Sequence, residues 1–343
     1  MSAPILVVED LTAVYPAPAG VWFKRRRPDL LALDRVDFTL DRGATLGVVG
    51  ESGSGKSTLA RALLGLGPAA VSGKVYWRGE NLLALAPEAR REKRQQLQLV
   101  FQDPLGSLNP RLTAGEIIAE PLRTFHPRMA RVQIAERVRG MLKLVGLDAE
   151  HVNRYPHEFS GGQCQRLGIA RALVLNPRLL ICDEPVSALD VSIQAQIIHL
   201  LKDLQAKMQL TMVFIAHDLG ILRQVSDQVL VLYLGRVMEF GDRQSIYQAP
   251  RHPYTRALLN AVPWPDPERE RRRVREPCGE LPSAHELPEG CLFHPRCPFA
   301  IDRCRREKPS LRPWRDGRTA CHRSEELALG SPTAPPAVAV AAD

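Results

Sequence analysis

Three features of the sequence predict an α/β fold that is organised around one glycine-rich loop. Short apolar stretches typical of buried strands recur along the chain, as at residues 44–49, 179–182 and 210–216. Helical stretches lie between them, and the glycine-rich loop joins the first of these strands to a helix. Strands that alternate with helices in this way indicate an α/β architecture.

The glycine-rich loop fits GxxxxGK[ST], the pattern of the phosphate-binding P-loop. A predicted buried strand precedes it, and residues 57–64 behind it have helical composition. The loop amides and the helix N-terminus can therefore face one anion, and a nucleotide phosphate is the expected ligand. The alternative is a glycine-rich turn with a chance lysine. The loop and the residue after it are Gly50, Glu51, Ser52, Gly53, Ser54, Gly55, Lys56, Ser57 and Thr58.

The length of 343 residues leaves room for two domains, or for one large domain with an appendage. Hydrophobic residues make up 45% and charged residues 24%, which is ordinary for a globular protein. No apolar run approaches the roughly 18 residues of a membrane span, and no secretory signal is visible, so we expect a cytoplasmic protein. The net charge of +8 comes largely from residues 24–27 and 269–275. Two short basic clusters suit solvated loops or lipid headgroups, and they do not form the stripe expected for nucleic acid.

Polar side chains stand at the ends of several predicted strands. Tyr15 ends the first strand, where it can stack on an adenine ring or pack in the core. Gln102 can meet a metal or a water at a γ-phosphate, although an ordinary strand-end glutamine is the alternative. Asp183 can hold the water shell of Mg²⁺, and Glu184 can polarise the attacking water as a general base. His217 can sense or stabilise a γ-phosphate, or it can serve the core or the surface.

A second candidate anion site opens a helix that is predicted to run to Leu175. A serine and two glycines at its start form a capped N-terminus with exposed amides. The helix follows a stretch, about 103–160, whose helical periodicity predicts a separate helical subdomain. The residues of this glycine-rich helix start are Ser160, Gly161, Gly162 and Gln163.

Taken together, these motifs resemble those of the ATP-binding cassette (ABC) family. The P-loop, the strand-end residues and the glycine-rich helix start occur in the family's order, and so does the segment 187–190, which ends at Asp190. Phe159 replaces the leucine of many members, and we expect little effect because it precedes the residues that make contact. The resemblance implies the P-loop NTPase fold of an ABC nucleotide-binding domain, with a RecA-like core, an antiparallel β subdomain and a helical subdomain.

The resemblance implies that ATP is the substrate and that Mg²⁺ is its cofactor. The P-loop lysine and amides would neutralise charge on the β- and γ-phosphates, and Glu184 would orient water. Gln102 and His217 would close around the γ-phosphate. Tyr15 would stack on the adenine, and Asp190 would belong to the nucleotide-binding set. The residues implied in catalysis are Glu184, His217, Gln102 and Lys56, and those implied in holding Mg²⁺ are Ser57, Gln102 and Asp183.

The glycine-rich helix start has a further implication for assembly. In this family, it faces the ATP that the opposite subunit binds, so hydrolysis needs a dimer with ATP held between two cassettes. This chain holds one cassette, and a partner ATPase is therefore implied, either a second copy or a homologue.

Further segments narrow the resemblance to the ATPases of oligopeptide and dipeptide importers, and within them to the F-type subunit. They are residues 100–111, 182–192 and 252–258, with the early loop 20–24. The implied partners are a homologous D-type ABC ATPase, two transmembrane permeases and a periplasmic or lipid-anchored peptide-binding protein, and nucleic acid is not among them. The implied location is peripheral, at the cytoplasmic face of the inner membrane. Nickel chelates, opines and antibiotics are the alternatives to a peptide cargo.

Two other classes of function compete with transport. ABC proteins that act on nucleic acid or ribosomes usually carry paired cassettes, long coiled coils or large insertions, and this sequence shows none of these. A purely structural subunit would have dead sites, whereas Lys56, Glu184 and His217 are intact.

The composition changes to proline, arginine and cysteine after residue 262. We therefore expect an ABC ATPase domain over residues 1–262, a cysteine-rich domain over 263–323 and a disordered tail over 324–343. The cysteine-rich part is too small to bury much core, so a metal held by four thiolates would supply the missing stability. Zinc, an iron–sulfur cluster and free core thiols all fit the residues, and the resemblance favours a [4Fe-4S] cluster with Cys278 as a spectator. The ligands would be Cys291, Cys297, Cys304 and Cys321.

Overall fold

The computed structural model contains two compact units. The first is built from Asp41–Thr45 and Ala84–Ile215, and the second from the stretches Ala3–Leu40, Leu46–Leu83 and Ala216–Asp343. The early loop 20–24, both basic clusters, Cys278 and Ala188 lie outside the described residues. The structure describes residues 4–17, 29–187, 189–262, 282, 287–314, 317–329 and 337–338.

Strands and helices alternate along much of the described chain. The strands are β1 Leu6–Tyr15, β2 Leu30–Leu40, β3 Thr45–Val49, β4 Ala70–Trp77, β5 Glu80–Asn81, β6 Leu97–Val100, β7 Leu179–Asp183, β8 Thr211–Ala216, β9 Gln228–Tyr233, β10 Arg236–Asp242, β11 Arg312–Trp314, β12 Gly317–Thr319, β13 Leu327–Ala328 and β14 Ala337–Val338. The α-helices are α1 Lys56–Leu63, α2 Pro87–Lys93, α3 Pro104–Ser107, α4 Ala114–Phe125, α5 Arg131–Leu144, α6 Gly161–Leu173, α7 Val191–Met208, α8 Leu219–Val225, α9 Arg243–Gln248, α10 Pro253–Ala261 and α11 Asp302–Arg306. Short 3₁₀ helices lie at Leu82–Ala84, Ala149–Asn153, Pro156–Glu158 and His294–Arg296.

The first unit contains three parallel strands in the order β6-β7-β8. Val100 of β6 pairs with Cys182 of β7, and Asp183 of β7 pairs with Ile215 of β8. Every residue of β7 and β8 is buried, which is expected of parallel strands covered on both faces and explains their continuous apolar sequences. Because the strands point the same way, the residues that follow β6 and β7 lie at one edge of the sheet.

Helices occupy the stretch in which the sequence predicts a helical subdomain. α4 begins with a capping box, in which Thr113 and Glu116 accept hydrogen bonds from each other's amides at 3.3 and 2.8 Å. Its buried face includes Ile117, Ile118 and Leu122, and it packs against α5 and α6. This packing covers the apolar stripe of an amphipathic helix. In the part of the chain that the structure describes, no helix has both the length and the hydrophobicity that a membrane span needs.

The second unit contains antiparallel and mixed strand pairing. One sheet has the antiparallel order β2-β1-β4-β5. A further set of strands has the order β11-β12-β10-β9-β3, in which β3 and β9 are parallel and the other pairs antiparallel. These strands agree with the predicted P-loop fold, because an antiparallel β sheet accompanies a strand that leads into the glycine-rich loop.

The cysteine-bearing segment, which runs from Cys291 to Cys321, adds strands to the second unit. β12 pairs with β10, with Thr319 opposite Glu239, and β11 pairs with β12. Phe293, Ala320 and Cys321 are buried. The sequence predicts a segment with too little core of its own, and the structure gives the reason it folds: it continues an existing sheet and shares apolar contacts with it.

Residues 324–329 fall within the predicted disordered tail but are packed in the second unit. Ser324, Leu327 and Leu329 are at most 1% exposed, and the guanidinium of Arg256 donates to the carbonyl of Leu329. β13 also pairs with β14. Burial of these two leucines gives this stretch the apolar contacts that a disordered tail lacks.

Candidate active site

The P-loop is a tight turn between β3 and α1 in the second unit. α1 begins at Lys56, with Gly55 as its N-cap at a φ of 101°, a left-handed conformation that disfavours a side chain. A Cβ at Gly55 would lie 2.5 Å from the carbonyl oxygen of Ala32, and one at Gly50 would lie 2.1 Å from that of Leu232. The backbone packed against the loop therefore requires glycine at both positions.

The loop presents groups that fit a phosphate. Lys56 Nζ lies across the loop and donates to the carbonyls of Gly50 at 2.8 Å and Glu51 at 3.0 Å. The Ser54 hydroxyl is buried and has no hydrogen-bond partner among the residues that the structure describes. α1 begins at this loop, so its first amides and the positive end of its dipole face it. A cation, a helix N-terminus and a buried hydroxyl together fit an anion with several oxygens, as in a nucleotide phosphate.

Tyr15 and Thr58 lie together next to α1. The Tyr15 hydroxyl is 3.3 Å from Oγ1 of Thr58, and both residues are partly exposed. Thr58 lies in the first turn of α1, so the tyrosine stands beside the helix that follows the P-loop. This position suits a ring that stacks on a nucleotide base, and the stacking itself stays a prediction.

Two residues that the sequence does not assign to the site hold Glu51 of the P-loop. The Glu51 amide donates to the hydroxyl of Tyr254 at 3.0 Å, and the Glu51 carboxylate accepts from Nη1 of Arg296, also at 3.0 Å. Burial raises the pKa of the Tyr254 hydroxyl, and the charge of Glu51 raises it further. Tyr254 lies in α10 and Arg296 directly precedes Cys297, so both come from the C-terminal part of the chain.

The first unit brings Gln102 and Glu184 together at the edge of its sheet. The sequence predicts that Gln102 meets a metal or a water, and the structure places its Nε2 on Oε2 of Glu184 at 2.9 Å. The Glu184 amide donates to the carbonyl of Ile215 at 3.1 Å, and its φ of 46° is unusual for a residue other than glycine. Asp183, the last residue of β7, is buried. Hydrogen bonds thus restrain both the amide and the carboxylate of Glu184, and its role as a general base stays a prediction.

Ser160 opens α6 with a capping box. Its Oγ accepts from the amide of Gln163 at 3.4 Å, and Oε1 of Gln163 accepts from the amide of Ser160 at 2.9 Å. The two side chains thus satisfy two amides near the start of this helix. A Cβ at Gly162 would lie 2.6 Å from Cγ2 of Ile193 in α7, so this glycine is needed for packing between the helices. Gly161 precedes it and is exposed.

The remaining predicted site residues lie in turns and at helix starts. The Ser187 hydroxyl donates to the carbonyl of Glu184 at 3.1 Å. Asp190 is the N-cap of α7, although its side chain makes no capping hydrogen bond. His217 is exposed, directly follows β8 and belongs to the second unit. The structure therefore joins Ser187 and Gln102 to Glu184, and the roles of Asp190 and His217 stay predictions.

The four cysteines predicted to hold a cluster lie in the second unit. The amide of Cys291 donates to the carbonyl of Cys304 at 2.8 Å. Burial raises the pKa of Cys297 to about 12 and that of Cys321 to about 12, and Cys291 and Cys304 add to both shifts. Among the described residues, however, no group of three or more His, Cys, Asp or Glu side chains could hold a metal ion. As placed, these thiols do not fit a single bound metal ion.

The chain is similar to ATP-binding proteins of transporters along nearly its whole length. A family model described as ABC transporter matches residues 33–187, and one described as the C-terminal region of oligopeptide/dipeptide transporters matches residues 238–304. The oligopeptide transport ATP-binding protein OppF of Escherichia coli (strain K12) is 54% identical, over 90% of this chain and 92% of that protein. The di/tripeptide transport ATP-binding protein DppF of Pseudomonas aeruginosa (strain UCBPP-PA14) is 47% identical, over 94% of this chain and 98% of that protein.

Solved ABC cassettes share the fold. The dimeric post-hydrolysis structure of the cassette MJ0796, bound to ADP and Pi, has a TM-score of 0.61 and 29% identity, over 69% of this chain and 98% of that chain. The structure of cbiO1 from Clostridium perfringens has a TM-score of 0.60 and 26% identity, over 72% of this chain and 91% of that chain. The resemblance that the motifs indicate is thus confirmed, and the chain belongs to the ATP-binding proteins of oligopeptide and dipeptide ABC transporters.

Proposed function

We propose that this protein is the ATP-hydrolysing subunit that energises an ABC importer of peptides. The observation that carries the proposal is the P-loop, where two glycines required by packing, a buried lysine and the Ser54 hydroxyl fit a nucleotide phosphate. The peptide cargo is supported by the names of the relatives and by the match to the C-terminal region of oligopeptide/dipeptide transporters. Nickel chelates, opines and antibiotics are the competing cargoes.

In the proposed reaction, the P-loop residues and the residues at the sheet edge of the first unit have different roles. Lys56 and the loop amides neutralise charge on the β- and γ-phosphates while the bond between the γ-phosphorus and the β–γ bridging oxygen breaks, the γ-phosphoryl group passes to water and ADP leaves. Glu184 accepts the proton of that water, and Gln102 holds the Glu184 carboxylate through their hydrogen bond of 2.9 Å. His217 stabilises the γ-phosphate, and Tyr15 stacks on the adenine. Bound Mg²⁺ would neutralise phosphate charge, and its oxygen ligands would be Ser57, Gln102 and Asp183.

The chain would act with a second ATPase and with membrane subunits. The glycine-rich helix start at residues 160–163 is the part that would face the partner's ATP, and the related cassette MJ0796 is dimeric. The partner would be a homologous D-type ATPase. Two transmembrane permeases and a peptide-binding protein would complete the importer, with this subunit peripheral at the cytoplasmic face of the inner membrane. The relatives' names, which place them in transport systems, support this assembly.

For the C-terminal part, the proposal is an ATPase domain over residues 1–262, followed by a cysteine-rich domain over 263–323 that carries a [4Fe-4S] cluster. Support comes from the hydrogen bond of 2.8 Å between the Cys291 amide and the Cys304 carbonyl, which brings two of the four cysteines together in the second unit. Iron and sulfide analysis of the full chain, purified anaerobically, tests the cluster. About four of each per chain is expected for [4Fe-4S], lost in Cys304→Ser and retained in Cys164→Ser. Zinc, or no metal, would contradict it.

Purification of the tagged full chain from detergent-solubilised membranes tests the transport function. Co-purification of two membrane-spanning subunits, and ATP hydrolysis stimulated by a peptide-loaded binding protein, are the expected results. If a nickel chelate and not peptides stimulates hydrolysis, the proposed cargo is wrong and the proposed ATPase role still holds. Recovery of ribosomes or DNA in place of membrane subunits would overturn transport altogether.

A further inference from the structure

Glu51 of the P-loop is tied to the C-terminal part of the chain by two hydrogen bonds. Its amide donates to the Tyr254 hydroxyl and its carboxylate accepts from Arg296 Nη1, each at 3.0 Å. These partners lie 203 and 245 residues further along the chain. Neither belongs to the motifs from which ATP binding is predicted.

The surroundings of Arg296 leave its guanidinium little freedom. Its side chain is 6% exposed, and Nη1 also donates to the Tyr233 hydroxyl at 3.3 Å. The guanidinium lies 5.7 Å from the ring centre of Tyr233 and 5.8 Å from that of Phe293. The Tyr254 ring packs against the same two rings, at 4.6 and 5.3 Å. An aromatic cluster thus holds both residues that reach Glu51, and a buried cation of this kind needs its carboxylate partner.

The contact continues from Glu51 to the phosphate-binding lysine. The carbonyl of Glu51 accepts a hydrogen bond from Lys56 Nζ at 3.0 Å, so the amide, the side chain and the carbonyl of this residue are all engaged. A shift of Glu51 would therefore move the loop backbone and one of the groups that hold Lys56. We infer that Arg296 is a positioning residue for ATP binding, through which the cysteine-bearing segment fixes the P-loop. The inference rests on the proposed function, in that the P-loop binds ATP.

The alternative is that Arg296 only holds the C-terminal segment in place. A double-mutant cycle on the full chain separates the two, with Arg296→Gln, Glu51→Gln, the double variant and Arg296→Lys. Affinity for the slowly hydrolysed analogue AMP-PNP, in the presence of Mg²⁺, is measured by calorimetry. The KM and kcat for ATP are measured by steady-state hydrolysis in the assembled importer. Arg303→Gln is the matched control, because Arg303 lies in the same segment, is 60% exposed and pairs with Glu307 four residues on.

A positioning role predicts a loss of affinity that depends on the contact with Glu51. Arg296→Gln should weaken AMP-PNP binding about tenfold, the scale of one charged hydrogen bond, and should raise the KM more than it lowers kcat. Arg296→Lys should recover part of the affinity, and the double variant should bind no more weakly than Arg296→Gln. Arg303→Gln should bind like the wild type.

Two results would overturn the inference. One is wild-type affinity in Glu51→Gln, which keeps the size of the side chain and removes only its charge, and which therefore decides even where Arg296→Gln does not fold. The other is additive losses in the double variant. A wild-type chain that binds no AMP-PNP would instead overturn the proposed function, so the two failures are distinguishable.

Discussion

Two regions of the second unit determine the conformation of the P-loop by different physical means: the loop itself and the cysteine-bearing segment. The P-loop needs glycine at two of its own positions, because Gly50 and Gly55 have no room for a Cβ. The cysteine-bearing segment contributes one charged side chain, Arg296, whose effect exists only where the folded chain brings it to Glu51. Local backbone geometry thus makes the phosphate cradle, while Arg296, from a distant part of the second unit, sets its position.

Glu184→Gln should have the largest effect, because it removes the proposed base and leaves the phosphate-binding loop unchanged. Turnover of ATP should fall about 10²- to 10⁴-fold, the usual range for loss of a general base, with AMP-PNP affinity unchanged. Steady-state hydrolysis by the assembled importer and calorimetry on the full chain measure the two. Glu150→Gln, at an exposed position of the same unit, is the control and should match the wild type. A Glu184→Gln variant with near wild-type turnover would exclude this residue as the base.

Gly55→Ala tests the claim that the loop's requirements are local. Its Cβ would lie 2.5 Å from the carbonyl oxygen of Ala32, at a φ of 101°. We expect a loss of about 2–3 kcal/mol in the free energy of unfolding, and little nucleotide binding, because the loop must shift to relieve the clash. Urea unfolding measures the first and AMP-PNP calorimetry the second.

Gly43→Ala is the matched control, since Gly43 has a φ of 79° but nothing within 4 Å of its Cβ. Only the backbone strain should remain there, about 1–2 kcal/mol, with nucleotide affinity intact. Equal effects of the two substitutions would show that packing against Ala32 does not shape the loop.

His252→Asn tests the part of the second unit that holds Glu51, through the pH dependence of the free energy of unfolding. Burial lowers the pKa of His252 to about 3 in the folded protein, against an ordinary value of 6.5. The unfolded chain therefore binds a proton below pH 6.5 that the folded chain does not, and stability falls as the pH drops from 6.5 towards 3. At pH 5 the loss is about 2 kcal/mol. His252 caps α10, which carries Tyr254, and packs against Phe293, so this titration acts on the residues that hold Glu51.

Asparagine keeps the capping acceptor and removes the titration. The difference in unfolding free energy between wild type and His252→Asn, measured in urea at pH 5 and pH 8, should change by about 2 kcal/mol. Glu239, which accepts from the His252 amide, works in the opposite sense. Burial raises its pKa to about 7, so stability falls as the pH rises from 4.5 through 7. Because Glu239 is present in both proteins, the comparison isolates His252, and a pH-independent difference would contradict the assignment.

The parts of the molecule that the sequence predicts are those fixed by neighbouring residues. The P-loop between a strand and a helix, the acidic pair after a buried strand and the serine that caps α6 all follow from local patterns. The hydrogen bond from Gln102 to Glu184 does not, because it depends on which strands are neighbours in the sheet. The pairing of β12 with β10 and the burial of residues 324–329 are likewise long-range.

The residues missed at the site illustrate the same limit. Tyr254 and Arg296 are separated from Glu51 by more than 200 residues, and no periodicity or spacing links them. One local signal was present: an arginine flanked by a proline and a cysteine needs a carboxylate partner once it is buried. The sequence does not say which carboxylate, and tertiary packing supplies the answer.

The most direct test of the account is ATP-driven peptide uptake by the full importer in sealed vesicles, with this chain as wild type or as Glu184→Gln. We predict that a peptide-loaded binding protein raises ATP turnover, that labelled peptide accumulates, and that Glu184→Gln abolishes both while the subunit stays assembled and binds AMP-PNP. Peptide accumulation that continues with Glu184→Gln, or turnover that ignores the peptide, would contradict the claim that this chain drives peptide import by hydrolysing ATP.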